Sequence, residues 1–163
     1  MNNEVIFDSE RINYIKVNES LVDEYLKMVN DPEVQETLGF TKVTYSKEQE
    51  LEWVNSKLKE NAVIFSMIEK DTNDYIGNIE IMNIKDGIGE LGITITPTKQ
   101  NNHFGQESIK RIIDYAFNDL KLDNLYLNVL DHNLRGIRCY EKSGFVRDGK
   151  ETEEHSIHMI YKK

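Results

Sequence analysis

Residues 93–109 read Ile93-Thr94-Ile95-Thr96-Pro97-Thr98-Lys99-Gln100-Asn101-Asn102-His103-Phe104-Gly105-Gln106-Glu107-Ser108-Ile109, and the fold turns on how this stretch is read. Ile93 to Thr96 is β-branched throughout and reads as a strand. Pro97 ends it, and the polar run Thr98 to His103 has no strand character. Beyond Phe104 the period changes: Ile109, Ile112, Ile113, Ala116, Phe117 and Leu120 line one side of a helix. A helix start presents backbone N–H groups with no intrahelical partner, at the positive end of the helix dipole, so this junction has the chemistry of an anion site. Gly105 lets a ligand come close to the main chain. Most loop-to-helix junctions bind nothing, so the rest of the chain must supply the function.

Upstream, Ala62–Glu69, Tyr75–Asn83 and Ile88–Thr96 read as three strands, with turns at Asp71-Thr72-Asn73-Asp74 and Asp86-Gly87, forming an antiparallel meander. Arg11 to Val17 alternates polar and apolar residues as a half-buried strand does. Ser20 is the expected cap of a helix with Leu21, Tyr25, Met28 and Val29 on one face, stopping near Asp31-Pro32. Ser46 and Gln49 have the spacing of a capping box, and Leu51, Val54 and Leu58 then recur at helical spacing with the charged residues between them facing water. Downstream, Leu125–Leu130 is a short apolar strand of the kind buried on both faces. Asn133 caps a helix carrying Ile137 and Tyr140 that ends at Ser143-Gly144, and Phe145–Asp148 and His155–Tyr161 supply two last strands. The order predicts a mixed α/β (α+β) fold, one domain over residues 1–163 with no linker or repeat.

The 163 residues are 39% hydrophobic and 30% charged, with 29 acidic and 20 basic side chains for a net charge of −9. A chain this long buries enough surface to need no disulfide or metal staple. The single cysteine, Cys139, has no internal partner and reads as a small packing residue. With no leading apolar segment and no run of about 18 apolar residues, the expectation is a soluble, cytoplasmic protein without a membrane partner. Excess acid argues against nucleic acid binding. The charge is uneven: residues 1–96 carry 19 acids and 9 bases, net −10, whereas residues 97–147 carry 6 and 8, net +2. His132, His155 and His158 form no compact ligand set, His155 and His158 pointing to opposite faces if both lie in one strand, so no metal is expected. No Ser, His and Asp constellation suggests a hydrolase.

The strand, the loop Gln100 to Gln106, the long helix, the next strand and then Asn133-x-Arg135-x-Ile137-x-x-Tyr140-Glu141-Lys142-x-Gly144-Phe145 together resemble the GNAT superfamily of N-acetyltransferases, and within it the RimJ/RimL-like group that includes spermidine acetyltransferases. The motif-bearing part runs from about Tyr75 to Phe145, and Asn30-Asp31-Pro32-Glu33-Val34 looks like the family's first-helix ending. The resemblance implies a central mixed, mostly antiparallel sheet flanked by helices, and acetyl-CoA as cosubstrate. It makes Gln100, Asn101, Asn102, His103, Phe104, Gly105 and Gln106 the pyrophosphate loop, with His103 standing where the family has its first glycine. Ile93, Thr94, Ile95 and Thr96 would run beside pantetheine and point a main-chain N–H at the thioester carbonyl. Leu127, Asn128 and Val129 would form the neighbouring strand that splays away, and Asn133 would contact coenzyme A.

Tyr140 matches the general acid that protonates the leaving thiolate; read without the motif, it is a core tyrosine on a short helix. Arg135, with Arg138 and Lys142, would form a basic flank at the phosphates or a solvated helix face. A primary amine is protonated at neutral pH and must lose a proton before it attacks. Glu80 and Glu90 match acidic positions of the spermidine-acetylating relatives and are the candidate bases and amine-binding groups, though Glu80 alternates with Ile79 and Ile81 and can equally face water. Glu33 could line the acceptor site, which the segment Leu38–Asn61 should border. The acceptor class implied is a small-molecule or peptide amine: a polyamine, a protein amino terminus, or an amino sugar or aminoglycoside. A non-catalytic coenzyme A binding module is the competing reading, and homodimerisation is left open.

Overall fold

The computed structural model describes residues 3–39 and 42–163. Its eight strands form one sheet in the order β1-β2-β3-β4-β5-β6-β8-β7. These are β1 (Val5–Asp8), β2 (Ile12–Lys16), β3 (Val63–Glu69), β4 (Tyr75–Lys85), β5 (Ile88–Ile95), β6 (Asn124–Leu130), β7 (Phe145–Arg147) and β8 (Ser156–Tyr161). Every neighbouring pair is antiparallel except β5 and β6, which run parallel. The expected meander is therefore present as β3-β4-β5, its second turn placing Asp86 and Gly87 at φ 52° and 79°. Both central residues of a two-residue hairpin of this kind need positive φ, which explains that Asp-Gly pair.

Period-two alternation sends side chains to two cores. One face carries Ile12, Tyr14, Phe65, Met67, Ile79, Leu91, Leu125, Leu127 and Met159. Two helices cover it, α4 (Phe104–Asn118) and α5 (Leu134–Lys142). Ile109, Ile112 and Ala116 of α4 are fully buried there, and each isoleucine contributes about 1.5–3 kcal/mol. The other face carries Ile15, Ile64 and Ile68. It is covered by α1 (Val22–Val29), α2 (Pro32–Leu38) and α3 (Lys47–Lys59), which contribute Tyr25, Met28, Val34 and Val54. Among the described residues no helix is long and apolar enough to cross a membrane.

Several elements differ from their sequence reading. The first helix is capped by Asn18, which accepts from the Ser20 N–H, and begins with a short 3-10 turn over Glu19–Leu21. Asp31-Pro32 ends α1 but also starts α2: Asp31 accepts from the Glu33 and Val34 N–H groups, and Pro32 occupies the first turn, where its missing N–H costs nothing. The Ser46–Gln49 capping box is formed. On α3, however, Glu50 is buried and Leu58 is exposed, the reverse of the apolar stripe, because the helix rests on α1 through the Val54 side. Burial pushes the Glu50 carboxyl above its ordinary pKa. Strand β6 is not buried on both faces: Leu125, Leu127 and Val129 are inside while Asn128 is exposed. His155 precedes β8 at φ 62° and lies outside the strand, and β7 ends at Arg147. Phe40 and Thr41, within the segment expected to border the acceptor, lie outside the described residues.

Candidate active site

The parallel pair β5–β6 is joined at only one end. Ile88, Gly89 and Glu90 pair with Asn124, Leu125 and Tyr126, after which the two strands continue separately to Ile95 and Leu130. The expected splay is thus present, beginning beyond Glu90. Thr96 donates its N–H to the Ile76 carbonyl at 2.9 Å, on the β4 side. Because backbone groups alternate along a strand, Ile93 and Ile95 turn theirs the other way, into the gap toward β6. The Ile95 carbonyl is taken there by the Gln100 side-chain amide at 3.0 Å.

A cavity of about 330 Å³ opens at this gap. Ile93, Thr94 and Ile95 line it from β5, Gln100, Asn101, His103, Gly105 and Gln106 from the loop and α4, Asn133, Arg135 and Tyr140 from α5. Val34 and Thr37 of α2 close it from the opposite face of the sheet. Sequence reasoning missed those two, because reading Asp31-Pro32 only as a stop signal concealed α2.

The loop backbone is unusual. Asn101 and His103 both have left-handed φ values, 62° and 64°, and His103 is the residue before α4. A non-glycine residue there costs about 1–2 kcal/mol, so His103 does occupy a position that suits glycine. His103→Gly is expected to raise Tm by about 2–4 °C, the shift that about 1 kcal/mol gives in a chain of this size; thermal unfolding showing a lower Tm would contradict the strain. At Gly105 the missing side chain matters for packing: a Cβ would sit 3.1 Å from Cys139 Sγ, so the glycine lets α4 close on α5. Phe104 is buried core, and Asn102 is exposed, its amide donating to the Gln100 carbonyl at 3.1 Å.

Asn133 caps α5, its Oδ1 accepting from the Gly136 N–H at 3.0 Å. That cap brings Arg135, Arg138, Cys139, Tyr140 and Lys142 to the cavity, and among the described residues no acidic side chain lines it. The Tyr140 ring packs edge-on against Phe145 at 6.4 Å. Burial pushes the phenol pKa up, which keeps it protonated at neutral pH. Cys139 is also raised by burial and is a half-buried thiol rather than a thiolate.

The candidate carboxylates are elsewhere. Glu80 and Glu90 project from the face of the sheet opposite α4, and neither lines the cavity. Glu80 is half-buried, its pKa raised by burial and opposed by Lys57, whose Nζ lies 3.9 Å away. Glu90 accepts from Asn83 at 2.9 Å and Asn128 at 3.2 Å. Asn128 therefore sides with Glu90 rather than with the cavity, as its place in the alternation of β6 requires. Tyr126 and His158 stack beside them at 5.2 Å, and His158 Nδ1 meets the Asp148 carboxylate at 2.9 Å. Glu33 is exposed on the first turn of α2, next to the cavity residue Val34 but not itself in the lining. Among the described residues no group of His, Cys, Asp and Glu could hold a metal ion.

An elongated anionic thioester fits this arrangement: basic side chains at the mouth, strand N–H groups turned into the gap, and a protonated phenol beside them. Comparison with known proteins agrees. The sequence is 32% identical over 112 residues to the spermidine N(1)-acetyltransferase of Vibrio cholerae, an alignment covering 68% of this chain and 65% of that protein. The chain thus spans just under two thirds of that relative's length. An acetyltransferase (GNAT family) from Bacillus anthracis has a similar structure, with a TM-score of 0.83 at 20% identity over 94% of this chain and 95% of that one. A spermidine N-acetyltransferase from Vibrio cholerae in complex with CoA and spermine gives a TM-score of 0.80 at 23% identity over 92% and 94%. The profile of the acetyltransferase (GNAT) domain matches residues 11–146, most of the length that builds the split sheet and its cavity, and the chain accordingly belongs to the GNAT acetyltransferases, the family that takes its acetyl group from acetyl-CoA.

Proposed function

We propose that residues 1–163 act as one GNAT unit of the RimJ/RimL-like group that acetylates a primary amine by direct attack in a ternary complex. The observation that carries this is the cavity through the β5–β6 splay, which gathers the loop, the Ile93 and Ile95 backbone and Tyr140 in one place. Acetyl-CoA supplies an activated acyl group as a thioester. The loop from Gln100 to Gln106, His103 and the basic flank Arg135, Arg138 and Lys142 hold the phosphates. One main-chain N–H of the Ile93–Ile95 run donates to the thioester carbonyl oxygen, where negative charge develops as the amine attacks. Tyr140 gives its proton to the departing sulfur. A phenol raised by burial is a weaker acid than a thiol of pKa about 8–9, so this transfer must accompany C–S cleavage.

The acceptor side is the acidic face carrying Glu80 and Glu90. Two carboxylates on one face of β4 and β5, Glu80 opposite Gly92 and Glu90 opposite Met82, favour a cationic amine, and a polyamine with several charges suits that field better than an amino sugar with one. A protein amino terminus, which is also a cationic amine, is the second candidate. Because Glu90 and Glu80 stand outside the cavity lining, one of them receives the amine proton through water rather than directly.

Thermal unfolding with and without acetyl-CoA tests the binding step: at 100 times Kd the cofactor adds about 2.7 kcal/mol of stability, an upward shift of about 5–10 °C for this length. Thiol release measured against polyamines, amino sugars and peptides tests the transfer. A thermal shift without acceptor-dependent thiol release would leave only a coenzyme A binding module, and no shift at saturation would overturn both.

A further inference from the structure

The cofactor loop contains two left-handed residues that are not glycine, and such a backbone persists only where surrounding groups over-determine it. One brace comes from the end of β3 and the turn that follows it: Lys99 Nζ donates to Glu69 and to Asp74, each at 2.8 Å. The other comes from the turn between β1 and β2. There Glu107, in the first turns of α4, accepts from Ser9 Oγ at 2.6 Å and from the Arg11 N–H and Nε, both at 2.8 Å. Burial works against ionisation of this carboxyl, but the donors outweigh it and hold its pKa below the ordinary range. The guanidinium that is fixed in this way lies 4.2 Å from the centre of the Phe104 ring and donates through Nη1 to the Asn102 carbonyl at 3.0 Å.

That carbonyl belongs to the peptide unit joining Asn102 to His103, whose orientation sets φ of His103. In a trans peptide the C=O and N–H point in opposite directions. Drawing the Asn102 carbonyl to Arg11 therefore turns the His103 N–H away from Arg11, which stands outside the cavity lining that His103 belongs to. We propose that Arg11 is a positioning residue for cofactor binding: it holds the Asn102–His103 peptide with its N–H aimed at the phosphates, doing for this loop what a glycine at position 103 would do by its own conformational freedom. The inference rests on the cavity being the coenzyme A site.

Arg11→Met, Arg11→Lys, His103→Gly, the Arg11→Met/His103→Gly pair and Gly105→Asp are compared by Kd for coenzyme A, by KM and kcat with acetyl-CoA, and by Tm. Arg11→Met is expected to raise Kd and KM about tenfold, the effect of leaving the competent loop about one-tenth populated, with kcat at saturation within about twofold. Arg11 reaches Glu107 through Nε and the Asn102 carbonyl through Nη1, a planar fork that a lysine ammonium does not reproduce, so Arg11→Lys should weaken binding in the same sense while keeping the charge and the fold. In the His103→Gly background the Arg11→Met loss should shrink to less than about threefold, because glycine reaches positive φ unaided. A lower Tm with unchanged Kd, or the same loss in both backgrounds, overturns the proposal. Gly105→Asp separates the two levels: if it leaves Kd unchanged the cavity is not the cofactor site, and if it weakens binding while both Arg11 variants do not, only the positioning role falls.

Discussion

Tyr140→Phe is expected to lower kcat by about 10²–10⁴-fold, the range attributed to a positioned general acid, with Kd for coenzyme A within about twofold and Tm unchanged within about 2 °C. The substitution removes one oxygen and keeps the ring against Phe145. Among the described residues no hydrogen bond holds the Tyr140 hydroxyl, so its loss strands no protein group and carries little structural cost. A drop in kcat without a drop in stability therefore reports chemistry. If turnover is unaltered in steady-state assays of thiol release, Tyr140 is a packing residue and the thiolate is protonated by solvent. A burst experiment separates chemistry from product release and guards against a hidden change of rate-limiting step.

Gly77→Ala should have the largest effect on the fold. Gly77 pairs with Ile95 across β4 and β5, and a Cβ there would lie 2.0 Å from the Thr94 carbonyl oxygen and 2.9 Å from Ile95 Cα. Both are backbone atoms of the strand that lines the cavity, so no side-chain rotation relieves the contact. Overpacking a core ordinarily costs about 1–3 kcal/mol, and a clash with the main chain belongs at or above the top of that range. The expected loss of about 3 kcal/mol corresponds to a Tm lower by about 6–12 °C. The protein that still folds should bind coenzyme A more weakly, because the ladder can open only by moving Ile93 to Ile95. Calorimetric unfolding that finds Gly77→Ala neutral would mean that β4 and β5 do not meet as described.

The parts of the fold that were legible are those with a local chemical signal. The Asp86-Gly87 hairpin, the Ser46–Gln49 capping box and the Asn133 cap each satisfy backbone groups within a few residues, so sequence spacing suffices. Strand β1 gave no such signal: it is four residues long, lies at the sheet edge and leaves Val5 and Ile6 exposed, so no alternation marks it. Helix α2 was hidden because Asp-Pro serves a helix end and a helix start equally well. Glu50 was misplaced because the buried face of α3 depends on where α1 packs, which no periodicity within α3 records.

The same division runs through the site. Gln100, Asn101, His103, Gly105 and Gln106 of the loop and the motif residues Asn133, Arg135 and Tyr140 converge on one cavity because a cap, a glycine and a strand end fix them locally, whereas Thr96, Asn102 and Phe104 stand outside its lining. Glu80, Glu90 and Asn128 do not join them, since alternation along β4, β5 and β6 carries those side chains to the opposite face. The segmental charge shares this logic: the net positive stretch supplies the basic side chains of the cavity mouth, whereas several acids of the negative stretch, Glu69, Asp74 and Asp8 among them, serve structural ion pairs.

By itself the sequence determined the order of elements apart from β1 and α2, the strand-loop-helix junction at residues 93–109 and the helix that carries Tyr140, because hydrophobic period and capping chemistry act over a few residues. Only the tertiary structure decided that β5 and β6 part beyond Glu90, that α2 closes the gap, and that Arg11, about ninety positions away in the chain, fixes the peptide before His103. Those depend on which distant surfaces meet when the two cores are buried, and no local pattern encodes that meeting.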